Sequence, residues 1–194
     1  MALSRDKVVD AALAIVQDHG LASLSMRQLA AALGVQPGAI YWHVNSKQEL
    51  LALVADRVLA ASPGGAAATP SPDARQQAMD MRAALLAVRD GAEIVSFALA
   101  LRPLSRAPVR RFREALAASL PGQHAEWGAR TLTHYILGEV AEEQNHAELV
   151  RAGILPGDQP PGYSTEAFIF GVDAILGGLT ARAAGRRGQP TRPA

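Results

Sequence analysis

Tyr41, Trp42 and His43 stand in a row between two signals for helix starts. Two large rings side by side on one short helix cannot both be buried, and an unburied aromatic is usually placed to meet a partner. A second candidate for chemistry is Glu143-x-x-His146, a carboxylate and an imidazole one helical turn apart. Two copies in a symmetric dimer would approach the donor set of a di-iron carboxylate bundle. Each half of such a site needs a further carboxylate, which no spacing here secures, and the alternative is a solvated polar face shared with Glu139, Glu142 and Glu148. The chain has no HExxH, nucleophile elbow or phosphate-cradling glycine loop. It has no cysteine, which excludes disulfides, thiolate metal sites and thiol catalysis. The expectation is a protein that is not an enzyme, with no catalytic residue, no metal and no cofactor.

The aromatic run needs a scaffold, and the residues around it supply one. Ser25 is placed to accept from the backbone N–H of Gln28, with Leu24 and Leu29 as a hydrophobic staple, so a helix opens there with Leu29, Ala30 and Leu33 inward. Gly34 provides the left-handed residue that ends it, and Val35 plugs the corner. Gln36 is the N-cap and Pro37 the first residue of a second helix expected over residues 37–44. Ile40 and Val44, one turn apart, anchor that helix and leave Gly38, Ala39, Tyr41, Trp42 and His43 largely on its other faces. Ser46 with Glu49 forms another capping box, which starts a third helix. Two helices meeting at a glycine corner are the grammar of a helix-turn-helix.

The rest of the chain also reads as helices. One runs over residues 4–19, ended by Gly20, with Leu3 and Val8 as its staple and Val9, Ala12, Leu13 and Val16 inward. Residues 46–60 carry Leu50, Leu53, Val54 and Val58 and connect the N-terminal block to the C-terminal part of the chain. Residues 62–73 are rich in Gly, Pro and Ser and read as a flexible linker. Helices are expected over 73–90 with Gly91 as a break, then 92–99, 107–120, 123–152, and from Ser164 to about residue 184 after a loop at 156–163. Residues 185–194 read as a disordered tail.

The units are therefore a helix-turn-helix block with its connecting helix at 1–61, the linker at 62–73 and a helical unit at 74–184. In the final helix Ala167, Gly171, Ala174, Gly178 and Ala181 make a small-residue stripe beside the apolar stripe of Phe168, Val172, Ile175 and Leu179. Small residues weaken a helix, so the close approach they allow points to pairing with a second copy.

With 194 residues and 49% hydrophobic side chains, the chain can bury the cores of two units. The longest apolar stretch, 167–180, is broken by Asp173 and falls short of the ~20 residues a bilayer needs. No secretory signal precedes Ser4. A soluble, cytoplasmic protein with no membrane partner is expected. Formal net charge is +1, and within residues 1–60 Arg5, Lys7, Arg27, Lys47 and Arg57 are matched by Asp6, Asp10, Asp18, Glu49 and Asp56. Positive potential for nucleic acid must then be local, from Arg27, Lys47 and helix N-termini, with strong sensitivity to salt.

On these residues the N-terminal block resembles the tetracycline-repressor (TetR) family of one-component transcriptional regulators. The string Tyr41-Trp42-His43-Val44 followed by a lysine is most similar to its tetracycline-repressor branch. Arg89-Asp90-Gly91-Ala92, residues 138–146 and residues 168–179 are similar to that branch's ligand-binding domain. The resemblance implies an all-α homodimer with an N-terminal three-helix DNA-binding domain joined to a ligand-binding and dimerisation domain. It further implies a repressor that binds a palindromic double-stranded DNA operator and is released by a small molecule. An activator, or a repressor with no small-molecule ligand, fits the residues too.

Carried over position by position, the resemblance assigns DNA contacts to Met26, Arg27, Pro37, Gly38, Ala39, Tyr41, Trp42, His43 and Lys47. Arg27 suits guanine, while Tyr41 and Lys47 suit phosphates. Pro37-Gly38-Ala39 stands where the branch has Gln-Pro-Thr, which removes an amide and a hydroxyl and implies a different operator. The effector pocket is expected between residues 73 and 149. Its apolar walls would be Met81, Leu85, Val95, Phe97, Leu101, Phe112, Leu116, Trp127 and Tyr135, and its polar groups Gln77, Arg102, Thr131, His134 and Glu142. Val95 stands where the branch has a magnesium-binding histidine and Ala115 where it has a pocket glutamine, so magnesium–tetracycline is not the expected effector.

Overall fold

The computed structural model describes residues 3–61, 73–101, 107–157 and 160–187, and within them holds nine α-helices and no strand. α1 (Arg5–His19) opens on the Ser4 hydroxyl, which accepts from the Lys7 N–H at 3.3 Å, and closes on Gly20 at φ 80°. Its buried face is Val8, Val9, Ala12, Ile15 and Val16, so Ile15 replaces Leu13 in the expected stripe. α2 (Met26–Leu33) starts where Ser25 accepts from Gln28 N–H at 3.1 Å and stops at Gly34, in the left-handed region at φ 65°, ψ 31°.

α3 (Pro37–Tyr41) is shorter than the expected 37–44. The N–H groups of both His43 and Val44 bond to the Ile40 carbonyl, at 2.8 and 3.1 Å, so the chain tightens into a turn before Val44. α4 (Lys47–Ala60) is capped by Ser46, which accepts from Glu49 N–H at 3.1 Å.

The expected helix over 73–90 stops at Leu86. α5 (Ala74–Leu86) ends in a turn, Asp90 takes φ 55°, and α6 (Gly91–Leu101) begins at the glycine instead of breaking there. A Cβ on Gly91 would lie 2.4 Å from the Leu85 carbonyl oxygen, so this corner closes only around glycine. α7 (Ala107–Leu116) gives way to turns earlier than expected because Ser119 and Leu120 N–H both bond to the Leu116 carbonyl, at 3.1 and 2.8 Å. α8 (Gln123–Arg151) is the long helix, and α9 (Thr165–Arg187) follows Ser164, which accepts from Ala167 N–H at 3.1 Å.

The buried side chains form one continuous cluster, from Val8, Leu29 and Ile40 through Leu50, Val54 and Val58 of α4 to Ile94, Phe112, Leu132 and Phe168. α4 packs more extensively on α6 than on any other helix, so it carries the N-terminal helices directly on the C-terminal ones. In α9, Phe168 and Val172 are buried, whereas Phe170, Ala174, Gly177, Gly178 and Ala181 are exposed. Gly171 of the small stripe faces inward, since a Cβ there would sit 2.0 Å from the Tyr135 hydroxyl of the same chain. Thr165–Ala184 is long and apolar enough to cross a membrane by length and composition, with mean hydropathy 1.4, which corrects the reading of that stretch as too short. Asp173 in its middle is held by Arg75 at 2.8 Å.

Candidate nucleic-acid interface and ligand clefts

A five-residue helix has too few internal hydrogen bonds to persist alone, so α3 is placed by what it buries. Ile40 and Val44 are 0% and 1% exposed, which pins α3 to the core and turns Tyr41 and Trp42 outward at 49% and 89%. Arg27, Pro37, Gly38 and Lys47 are likewise exposed, whereas Met26, Ala39 and His43 are half-buried. Met26 packs against the core, and the His43 carbonyl accepts from Arg5 Nε at 2.9 Å, which fixes the chain just after the aromatic pair.

The cations of this region divide into two groups. Arg57 is held by Asp6 at 2.8 Å and by Asp10, and Arg5 by the His43 carbonyl and Glu49. Arg27 and Lys47 have no ion-pair partner among the described residues. They sit in the first turns of α2 and α4, where the helix dipole favours anions and a cation costs about 0.3–1 kcal/mol. The fold gains nothing from two unpaired cations there. An arriving phosphate, met by both a side-chain charge and free helix N–H groups, relieves the conflict.

The turn between α3 and α4 is set by a carboxylate. Glu49 accepts from the Asn45 backbone N–H at 2.8 Å and from its side-chain amide at 2.7 Å, so the capping pair reaches one residue further back than Ser46. The Asn45 backbone bond first, and its amide second, hold the Glu49 carboxyl below the usual carboxylate range, with Arg5 adding to this against some desolvation. A carboxyl lowered in the folded state stabilises above its unfolded pKa, and that contribution is lost as pH falls through the folded value. The expected result is an unfolding midpoint that drops on acidification below about pH 4.3, with a shallower drop in Glu49→Gln. Equal pH profiles from circular dichroism melts of the two proteins would refute it.

A second polar cluster lies where α1, the α5–α6 corner and α8 meet. Arg89 grips Glu148 through Nε and Nη2 at 2.6 and 2.8 Å, donates to the Asp18 carbonyl at 3.2 Å, and its backbone N–H donates to Gln17 at 3.0 Å. The Asp90 carboxylate accepts from Leu21 N–H at 2.6 Å. Gln144 donates to the Leu85 and Val88 carbonyls at 3.0 and 2.7 Å and accepts from Ala92 N–H at 3.2 Å, closing the corner's open backbone groups. Burial works to raise the Glu148 carboxyl, but hydrogen bonds and charge from Arg151 and Arg89 outweigh it and hold it low. Apart from the neighbouring Glu148–Arg151 pair, none of these contacts was legible in spacing, because the partners lie 52 to 72 residues apart; the one local signal was an Asp before a Gly at a helix start.

The residues expected to line one effector pocket do not all share a cavity. Met81, Val95, Phe112 and Leu116 are core, 1–6% exposed. Trp127 and Thr131 line a cleft of 770 Å³ between the end of α7, the start of α8 and the end of α9. Phe97 and His134 line another of 600 Å³ between α6 and α8, together with Asp90, Glu93 and Gln144. On α8 this follows from the period: Trp127, Thr131 and His134 share its outer face, while Leu132 and Ile136 take the inner one. Tyr135 stacks on Phe168 at 5.7 Å and donates to its carbonyl at 3.1 Å. Gln77 is half-buried, Leu85 is core, Leu101 is exposed, and Arg102 lies outside the described residues.

Glu143 and His146 line one small cleft of 230 Å³ together with Tyr163, but each is engaged there by a different neighbour. Glu143 is engaged by Arg82 at 2.7 Å, whose guanidinium also lies over the Phe168 ring, and His146 packs on the Tyr163 ring at 5.3 Å. Tyr163 donates to Glu142 at 3.2 Å. Glu139 lies in the same group; burial, then the charges of Glu142 and Glu143, raise its carboxyl against the opposing pull of Arg82. Among the described residues no group of three or more His, Cys, Asp or Glu side chains is arranged to hold a metal ion.

Known proteins share this arrangement. Residues 8–54, which span the buried face of α1 through α4, match the profile of the bacterial regulatory proteins of the tetR family. The chain is 32% identical to the tetracycline repressor protein class D of Escherichia coli, over 91% of this chain and 89% of that one. It is similar to Mycobacterium smegmatis BioQ, with 36% identity, 93% and 99% coverage and a TM-score of 0.76. A structure of BioQ with its natural double-stranded DNA operator has 33% identity, 93% and 99% coverage and a TM-score of 0.72. A TetR variant from Acinetobacter baumannii in complex with minocycline has 28% identity, 94% and 99% coverage and a TM-score of 0.72.

Proposed function

The chain belongs to the tetR family of bacterial regulatory proteins, and from that premise we propose that it is a cytoplasmic repressor. It binds a palindromic operator as a homodimer and leaves it when a small molecule occupies the C-terminal helices. It is a DNA-binding transcriptional regulator, and its relatives are regulators, not enzymes. The observation that carries the reading is the exposed Tyr41–Trp42 pair, flanked by Arg27 and Lys47 at helix N-termini with no ion-pair partner among the described residues. The structure of the similar BioQ with its operator supports binding to double-stranded DNA.

Residues 1–61 act as the DNA-binding unit and residues 74–184 as the ligand-binding and dimerisation unit. The exposed apolar face of α9, with Phe170 78% exposed beside Ala174, Gly178 and Ala181, supports pairing with a second copy. The minocycline complex of a relative supports a small-molecule effector. With Val95 buried at 1% where a metal-binding imidazole would be needed, magnesium–tetracycline is a poor candidate. Ligand occupancy would act through α4, which rests on α6, and through Arg89, which ties α1 to α8. A coupling of about 1–3 kcal/mol between the two sites is ordinary for such switches.

The test is selection of bound duplexes from a random DNA pool, then titration of the winner at several salt concentrations. A palindrome with half-sites about 34–36 Å apart is expected. Arg27→Ala should weaken binding by about 1–3 kcal/mol and relax preference at one base pair, whereas Lys47→Ala should weaken all sequences alike and flatten the salt slope by about one unit. Enrichment of no sequence would overturn the reading.

A further inference from the structure

The 770 Å³ cleft formed by residues Ala117 to Pro121 after α7, by His124, Trp127, Gly128 and Thr131 of α8, and by Leu179, Arg182 and Ala183 of α9 has a one-sided chemistry. Its volume lies within the range of roughly 300–1,000 Å³ typical of small-molecule sites. Its walls are mostly apolar, with Trp127 half exposed and turned edge-on to His124 at a centroid separation of 5.3 Å. The hydroxyls that line it are already committed as donors, Ser119 to the Leu116 carbonyl at 3.3 Å and Thr131 to the Trp127 carbonyl at 2.9 Å. No carboxylate is among its lining residues. Arg182 has no ion-pair partner among the described residues. The α6–α8 cleft, by contrast, carries Asp90 and Glu93 and would repel an anion.

We propose that this cleft binds an amphipathic organic anion, with its apolar body against Trp127, Leu120 and Leu179 and its carboxylate on the Arg182 guanidinium. A guanidinium matches a carboxylate in a bidentate pair, and at the edge of an apolar cleft that pair fixes the ligand's orientation. Gly128 brings the floor together: a Cβ there would lie 3.0 Å from Leu179 Cδ1 and 3.2 Å from Leu116 Cδ1, so α8 and α9 meet closely beneath the opening. The inference deepens the effector reading above, since Trp127 and Thr131 are shared with it, but it stands on binding alone and its test does not use DNA.

The chain has two tryptophans, and Trp42→Phe on the far exposed helix leaves Trp127 as the sole reporter. The full-length variant is titrated with decanoate and with 1-decanol, the same chain with a neutral head. The expected result is a saturable shift of Trp127 emission with decanoate, at least about ten-fold tighter than with decanol, a ratio equivalent to about 1.4 kcal/mol. Arg182→Gln should abolish that preference and leave decanol binding unchanged. Three outcomes overturn the proposal: no saturable shift up to about 1 mM, equal affinity for both heads in the unsubstituted Arg182 protein, or Trp127 emission already blue-shifted and shielded from iodide before any addition. The last would show that a second copy fills the cleft. Operator binding is read separately on proteins that keep Trp42, with and without Arg182→Gln, so loss of the regulator reading and loss of this site give different patterns.

Discussion

Truncating Ile40 to alanine is expected to destabilise the protein by about 2–5 kcal/mol and to take duplex binding down with it. Ile40 is fully buried and is one of two side chains that pin a five-residue helix to the core. Deleting most of it opens a cavity under α3, and a helix of that length cannot hold its own shape while the core readjusts. Trp42→Ala supplies the contrast. Its ring is 89% exposed, so stability should move by no more than about 0.5 kcal/mol. Affinity for the selected duplex should nonetheless fall by about 2 kcal/mol or more, the usual cost of removing an aromatic anchor from an interface. Urea unfolding and duplex titration on both variants decide the matter. If Trp42→Ala binds as tightly as the parent, the aromatic pair is not at the interface.

Gly91→Ala is expected to cost about 1–3 kcal/mol, although alanine is normally the better helix residue. The new methyl would sit 2.4 Å from the Leu85 carbonyl oxygen, which is backbone and cannot swing aside. The α5–α6 corner would have to open, and with it the Gln144 bonds to Leu85 and Val88 and the Asp90 bond to Leu21. Because that corner joins α1 to α8 through Arg89, the loss should appear in both halves of the molecule at once. Hydrogen exchange is the direct readout: faster exchange at Leu21 and Ala92 together is expected, and protection unchanged at Leu21 would show that the corner does not bind the two halves.

The N-terminal half was legible because its determinants are local. Ser25, Gly34, Pro37 and Ser46 act within a turn of themselves, through caps and a left-handed residue, and each ended or began a helix where its chemistry required. The exposure of Tyr41 and Trp42 followed from the same local count of which residues one short helix can bury. Even here competing local bonds changed the detail: the Ile40 carbonyl took two N–H groups and shortened α3, and Asn45 drew the Glu49 carboxylate away from its expected partner.

The C-terminal half was legible only as helices. Residue type pointed to Phe97, Trp127 and His134 as pocket walls, but which of them share a cleft depends on the rotation of α8 and on the helices laid across it. Arg89, Asp90 and Gln144 carried no spacing signal, since each acts on a group brought near by folding from more than fifty residues away. By itself the sequence determined the helices, their caps and the outward face of α3, because hydrogen bonds between near neighbours fix those. Only the tertiary structure decided the clefts and the links between the two halves, because these depend on how whole helices pack, and packing is set by shape across the entire core.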